Sequence, residues 1–242
     1  MRRALALLCL LVALPVWGGQ IIVAKKKAGG GADPIYADEE GAGAFASDTT
    51  IATGTTMDVA VDDVVVVFAS NQTSGRVAIS SVTDNADTPN TYTPIAAIDD
   101  ASFGTIRAFY SKITTAKTGV TITATFAAAA QYRAISAIKI TGSSASPLDQ
   151  SNTGTGTFQT DMSSIGSVTT TAANTVLVVA TANENSNPFT ISAPWTKGPA
   201  PTVPGTTEYL TTEYRKVTST GTYSAAGTCT SQRVAGIIVA IK

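Results

Sequence analysis

The feature that most restricts this chain is that it repeats itself. Val64-Val65-Val66-Val67-Phe68-Ala69 lies over Val176-Leu177-Val178-Val179-Ala180-Thr181 at a spacing of 112, each run preceded by a Gly-led segment, Gly54-Thr55-Thr56 or Gly166-Ser167-Val168. Val77-Ala78-Ile79-Ser80 lies over Phe189-Thr190-Ile191-Ser192 at the same spacing. After the loop Asp84 to Asn90, which the second copy lacks, Tyr92-Thr93 matches Trp195-Thr196, and Tyr110-Ser111-Lys112 matches Tyr214-Arg215-Lys216 at a spacing of 104. Arg133 and its apolar strand match Arg233 with Val234 to Ile241 at a spacing of 100. Preserved order with a shrinking spacing is what loop deletions in a duplicated unit produce.

Each unit reads as β. Thr, Val, Ala and Ile dominate from about Gly41 onward, turn clusters interrupt at short intervals, and Val120 to Phe126 alternates apolar with polar. Ala127 to Ala130 is the one helix-favouring run, too short to nucleate a helix, and reads as a loop. A unit of about 100 residues is the size at which an antiparallel sandwich closes its core. The expected fold class is therefore all-β: two tandem homologous antiparallel β-sandwiches, Ig-like or jelly-roll-like, at 41–141 and 153–242, joined by a linker at 142–152.

The first residues read differently. Arg2 and Arg3, the apolar run Ala4 to Leu14, Pro15 and a small-residue stretch match a secretory signal peptide over 1–18. Residues 19–40 read as an N-terminal arm and Gly-rich linker, with the β-prone Ile21, Ile22, Val23 and Ala24 ahead of three lysines and Gly29 to Gly31. These features predict a secreted or cell-surface protein with no membrane span once the leader is removed. Cys229 is then the one remaining thiol, so no internal disulfide is expected, and it reads as a small buried hydrophobe. Sixteen basic and 17 acidic residues give a net charge of −1 without a basic stripe, which argues against nucleic-acid binding. The absence of His excludes His-based triads and His-bearing zinc sites.

Ser81-Val82-Thr83-Asp84-Asn85 leading into Asn90-Thr91-Tyr92-Thr93, the Tyr110-Ser111-Lys112 strand, Pro147-Leu148-Asp149 and Val168 to Asn174 together resemble secreted bacterial and phage-encoded proteins built from tandem β-sandwich repeats. The resemblance spans 41–242 and rests on turn and strand signatures. It implies a surface, adhesive or virion part and no particular chemistry.

Four sites are candidates. Asp84, Asn85, Asp87 and Asn90 offer oxygen ligands, but Pro89 stands where a calcium loop wants Gly, and Asx turns account for them; no metal or cofactor is expected. Glu39, Glu40, Glu184, Glu208 and Glu213 are the carboxylates a glycosidase would need, and nothing in their spacing converges them, so no catalytic residue is assigned. Trp195 and Tyr209, with Tyr92, Tyr214 and Tyr223, could stack on a sugar, although recurrence of Tyr92/Trp195 and Tyr110/Tyr214 in both copies favours core packing. The arm Ile21 to Ala24 could add to a neighbour's open sheet edge. The leading expectation is a non-enzymatic structural or adhesive surface protein, a filament or virion subunit that self-associates through its arm or binds a cell-surface or virion partner. The alternative is a carbohydrate-binding module with a glycan partner.

Overall fold

The computed structural model describes residues 34–44, 46–72, 76–100, 104–183, 189–198 and 209–242. Its first half contributes β1 (Ile35–Ala44), β2 (Asp48–Ala52), β3 (Met57–Val59), β4 (Val64–Asn71), β5 (Ile79–Asp84), β6 (Thr93–Asp100), β7 (Gly104–Lys112), β8 (Lys117–Val120), β9 (Ile122–Ala130) and β10 (Arg133–Thr141). The second half contributes β11 (Leu148–Asp161), a 3-10 turn at Ser163–Ile165, β12 (Ser167–Thr169), β13 (Thr175–Asn183), β14 (Thr190–Ile191), β15 (Thr196–Lys197), β16 (Tyr209–Val217), β17 (Thr222–Ser224) and β18 (Gly227–Ile241). The chain is all-β, and its sheets are antiparallel and packed as sandwiches.

The central strands explain the packing. β4 and β13 are buried at every residue, so both of their faces must be covered. Val64, Val66 and Phe68 of β4 share a hydrophobic cluster with Val176, Val178 and Ala180 of β13, so the five-stranded sheet of the first half lies face to face with the large sheet of the second. The opposite face of β4, Val65, Val67 and Ala69, packs on β2-β9-β5 and β3-β8. Likewise Leu177 and Val179 pack outward on Ile165, Val168, Phe189 and Trp195. Four layers result, with the two halves joined back to back along a central apolar seam. Gln72 Nε2 crosses that seam to the Asn183 carbonyl at 3.0 Å.

The two large sheets have the same strand order when the five strands along each are ranked in chain order, namely first, fifth, second, fourth, third: β1-β10-β4-β7-β6 and β11-β18-β13-β16-β15. Their registers also correspond. Val66 faces Tyr110 and Val178 faces Tyr214; Thr93 faces Tyr110 and Thr196 faces Tyr214. Both edge strands slip at equivalent places, between Tyr36 and Asp38 in β1 and between Leu148 and Gln150 in β11. The ladders move one sequence pairing: Ala69 faces Ile135 and Thr181 faces Gly236, so Arg133 corresponds to Val234, one residue past Arg233. A slip of one residue reverses the face of a strand side chain. Arg133 is 3% exposed and its guanidinium donates to the carbonyls of Thr50 and Ala46, on the outer side of its sheet.

Other boundaries differ from expectation. β1 begins at Ile35, within the stretch read as arm and linker, because its backbone pairs along the whole of β10. β11 begins at Leu148, within the stretch read as linker, and Leu148 packs against the seam. Ala127 to Ala130 belong to β9, where the Ala127 amide donates to the Ala78 carbonyl at 2.9 Å; tertiary pairing overrides alanine's helical preference.

Candidate functional site

Asp84 ends β5 and is 5% exposed. Its carboxylate accepts from the Ala86 amide at 3.1 Å, the Asn90 amide at 3.2 Å, Asn90 Nδ2 at 2.8 Å and the Tyr92 hydroxyl at 3.3 Å. Asn90 Oδ1 accepts from the amides of Thr114 and Thr115, both at 2.9 Å. Asn85 Oδ1 accepts from the Thr121 amide at 3.0 Å. The oxygens of this loop therefore face protein donors and tie the β5–β6 connection to the β7–β8 turn, the Asx arrangement its composition suggested. Burial, then the adjacent Asp84 carboxylate, pushes the Tyr92 phenol far up.

Glu213 is the most perturbed carboxyl. It sits in the middle of β16 with no exposed surface, opposite Val179 and on the outward face of its sheet. One oxygen accepts from the Ala226 amide at 3.2 Å, and the other has no hydrogen-bond partner among the described residues. Burial pushes its pKa up to about 8, which the single backbone bond only partly opposes. Glu39, on β1, is raised by the same cause and lies on the other side of that sheet, where its Oε2 comes within 3.1 Å of where a Cβ on Gly198 would stand. The two carboxyls thus face opposite sides of one sheet, and no sugar could lie between them. Glu184 and Glu208 lie outside the described residues.

The ends of the central seam carry aromatic rings. At one end Tyr36 of β1 stacks on Tyr214 of β16, with centroids 3.7 Å apart and planes within 4°. Burial, then Glu39, raises the Tyr36 phenol. At the corresponding end, the register puts Leu148 where Tyr36 stands and Tyr110 where Tyr214 stands. There the seam opens into a cleft of about 330 Å³ lined by Tyr110, Leu148, Thr93, Lys112, Ser146 and Pro147.

Trp195 is not a sugar platform. It is 6% exposed, packs among Phe189, Val217 and Val234, and its indole N–H donates to the Ser224 carbonyl at 3.1 Å, so its ring faces are inside the second sandwich. This corrects the expected glycan contact, and the reason is the one its match to the buried Tyr92 suggested. Tyr209 opens β16, and its side chain lies outside the described residues. Tyr223 has its hydroxyl donating to the Ser219 carbonyl at 2.8 Å and the Arg215 guanidinium 5.2 Å from its ring centre. The arm residues Ile21, Ile22, Val23 and Ala24 also lie outside the described residues. Cys229 is half-buried against the outer core, its Sγ 3.4 Å from the Gln159 carbonyl, and burial raises its thiol pKa.

Three residues to which sequence reasoning gave no site role become prominent. Tyr36 and Leu148 mark the two ends of the seam, and Phe158, on a bulge of β11, is 83% exposed with φ +57°. Among the described residues no group of three or more His, Cys, Asp or Glu side chains could hold a metal ion, and no helix is long and apolar enough to cross a membrane. Comparison with protein-family models, with curated proteins and with solved structures finds no match for this chain.

Proposed function

We propose that this protein is a non-enzymatic structural or adhesive component that works outside the cell and assembles with copies of itself. The observation that carries this reading is the edge of β11, which has no second partner strand among the described residues. This strand has 14 residues, pairs with β18 on one side, and keeps unbroken register from Gln150 to Gly156. Its sequence has no Lys, Arg or Pro, and its only charges, Asp149 and Asp161, are near its ends. A long edge with neither central charge nor proline lacks two of the usual devices against strand addition, and its bulges lie outside the regular stretch from Gln150 to Gly156. The β-prone residues Ile21 to Ala24 of a neighbouring copy have the composition to add to it.

The body behind that edge suits a durable part. Three hydrophobic clusters run through four layers, and one of them fuses the two halves. The matching strand orders and bulges support descent of the halves from one duplicated sandwich. The test is the solution mass of the full chain by light scattering across concentration, with and without residues 20–31. The reading predicts concentration-dependent assemblies that shrink on deletion; a monomer throughout would overturn it.

A further inference from the structure

The geometry points to a head-to-tail contact between copies in which the Phe158 ring of one molecule enters the cleft beside Tyr110 of the next. This inference rests on the reading of the protein as a self-assembling subunit and names the surfaces that would join.

The molecule itself shows what the cleft accepts. At the corresponding end of the seam the same tyrosine position, Tyr214, is covered by a coplanar ring, Tyr36, at 3.7 Å. Leu148 replaces that ring at the second end, and a branched aliphatic side chain cannot cover Tyr110 as a flat ring does. The cleft of about 330 Å³ is at the small end of the roughly 300–1,000 Å³ range of ligand pockets, suited to one ring rather than a large ligand. Aromatic pairs add attraction beyond the apolar area they bury.

The knob is equally specific. Among the described residues, Phe158 is the one aromatic of the large exposed hydrophobic residues; the others are Ile35 and Val61. It is held out by the irregular pairing between Gly156 and Gln159, with φ +57°, a conformation that costs a residue with a Cβ energy. Charge agrees with shape. Asp161 is an exposed carboxylate three residues beyond Phe158, and Lys112 lines the cleft with its ammonium 3.2 Å from the exposed Asp62 carboxylate, an ion pair it could share.

Position makes the contact polymeric. Leu148 and Phe158 are on the same strand, ten residues apart, so knob and cleft are about 30 Å from each other along β11. No molecule can fill its own cleft. Two different surfaces that meet across copies form a heterologous contact, which continues as an open filament unless its rotation closes a ring.

The experiment is sedimentation velocity over a concentration series on the full chain, F158A and L148Y, with V61S as an exposed-hydrophobe control and circular dichroism to establish that each is folded. L148Y places in the cleft the residue that the molecule already carries at the corresponding position. Each of F158A and L148Y is expected to weaken association at least tenfold, and V61S to leave it unchanged. Mixed together, F158A retains a cleft and L148Y a knob, so the mixture is expected to form one-to-one complexes and nothing larger. Wild-type-like assembly of F158A or L148Y, or growth of the mixture beyond pairs, overturns the contact. Assembly that depends on residues 20–31 and is indifferent to Phe158 overturns this contact and leaves the proposed function standing. A wild-type monomer throughout overturns both.

Discussion

Replacing Glu213 with Gln should make the protein more stable at neutral and alkaline pH, and the size of the gain follows from the burial of this carboxyl. In the unfolded chain Glu213 titrates near 4.5; in the fold its pKa is about 8, because the charged form would be buried with one backbone hydrogen bond and a second oxygen that has no partner among the described residues. The folded state therefore holds a proton that the unfolded state has released across that interval, and stability falls as pH rises from 4.5 through 8. At ~1.4 kcal/mol per pH unit the full loss is about 5 kcal/mol, of which about 3 kcal/mol is already present at pH 7. Below pH 4.5 this titration contributes no loss, and above 8 the loss levels off. Glutamine has nearly the same shape, keeps an acceptor for the Ala226 amide and has no charge, so E213Q should lack this component. The assay is urea unfolding of both proteins from pH 4 to 9, with the difference between their unfolding free energies plotted against pH. Other titrating groups cancel in that difference. Curves that stay parallel across the range would refute the assignment of a buried, proton-holding carboxyl at 213.

Further outcomes follow from the packing. Ile138→Ala, in the seam, should cost about 2–5 kcal/mol and lower the unfolding midpoint of both halves together, seen as one calorimetric transition that moves as a unit. Asp84→Ala should cost about 2–3 kcal/mol in denaturant unfolding, since it leaves the Ala86 and Asn90 amides and the Asn90 side chain without their acceptor. Gly236→Ala would put a Cβ 2.8 Å from the Ile165 side chain, so a loss of about 1–3 kcal/mol is expected, relieved in part when Ile165 is shortened to Val. A double-mutant cycle on Tyr36 and Tyr214 should give a coupling of about 0.5–1.5 kcal/mol.

Much of this fold was readable, and the misreadings share a cause. The alternation of Val120 to Phe126 runs from the end of β8 into β9, a strand with one covered face, and the burial alternates there as the residues do. The unbroken apolar runs of β4 and β13 carried a second message that a two-layer sandwich does not absorb: strands apolar on both faces need cover on both, which means four layers and a shared seam. Tyr36 looked like part of an arm because the ring that holds it, Tyr214, is in the other half of the chain. The Arg133 and Arg233 pairing was off by one residue, a difference that a Val- and Ala-rich strand hides in sequence and a hydrogen-bonded ladder reveals. Burial of Trp195 was foreshadowed by its match to Tyr92, since a large aromatic at corresponding positions of both units serves packing more readily than a ligand. Phe158 had no sequence signal at all. Its exposure depends on a local break in pairing with β18, which a Thr- and Gly-rich stretch does not announce.

The account stands most directly on what the full chain forms in solution, and electron micrographs across a concentration series test it. The account predicts filaments with an axial repeat of about 30–40 Å, set by the length of β11 between knob and cleft. Isolated single molecules at every concentration would contradict it.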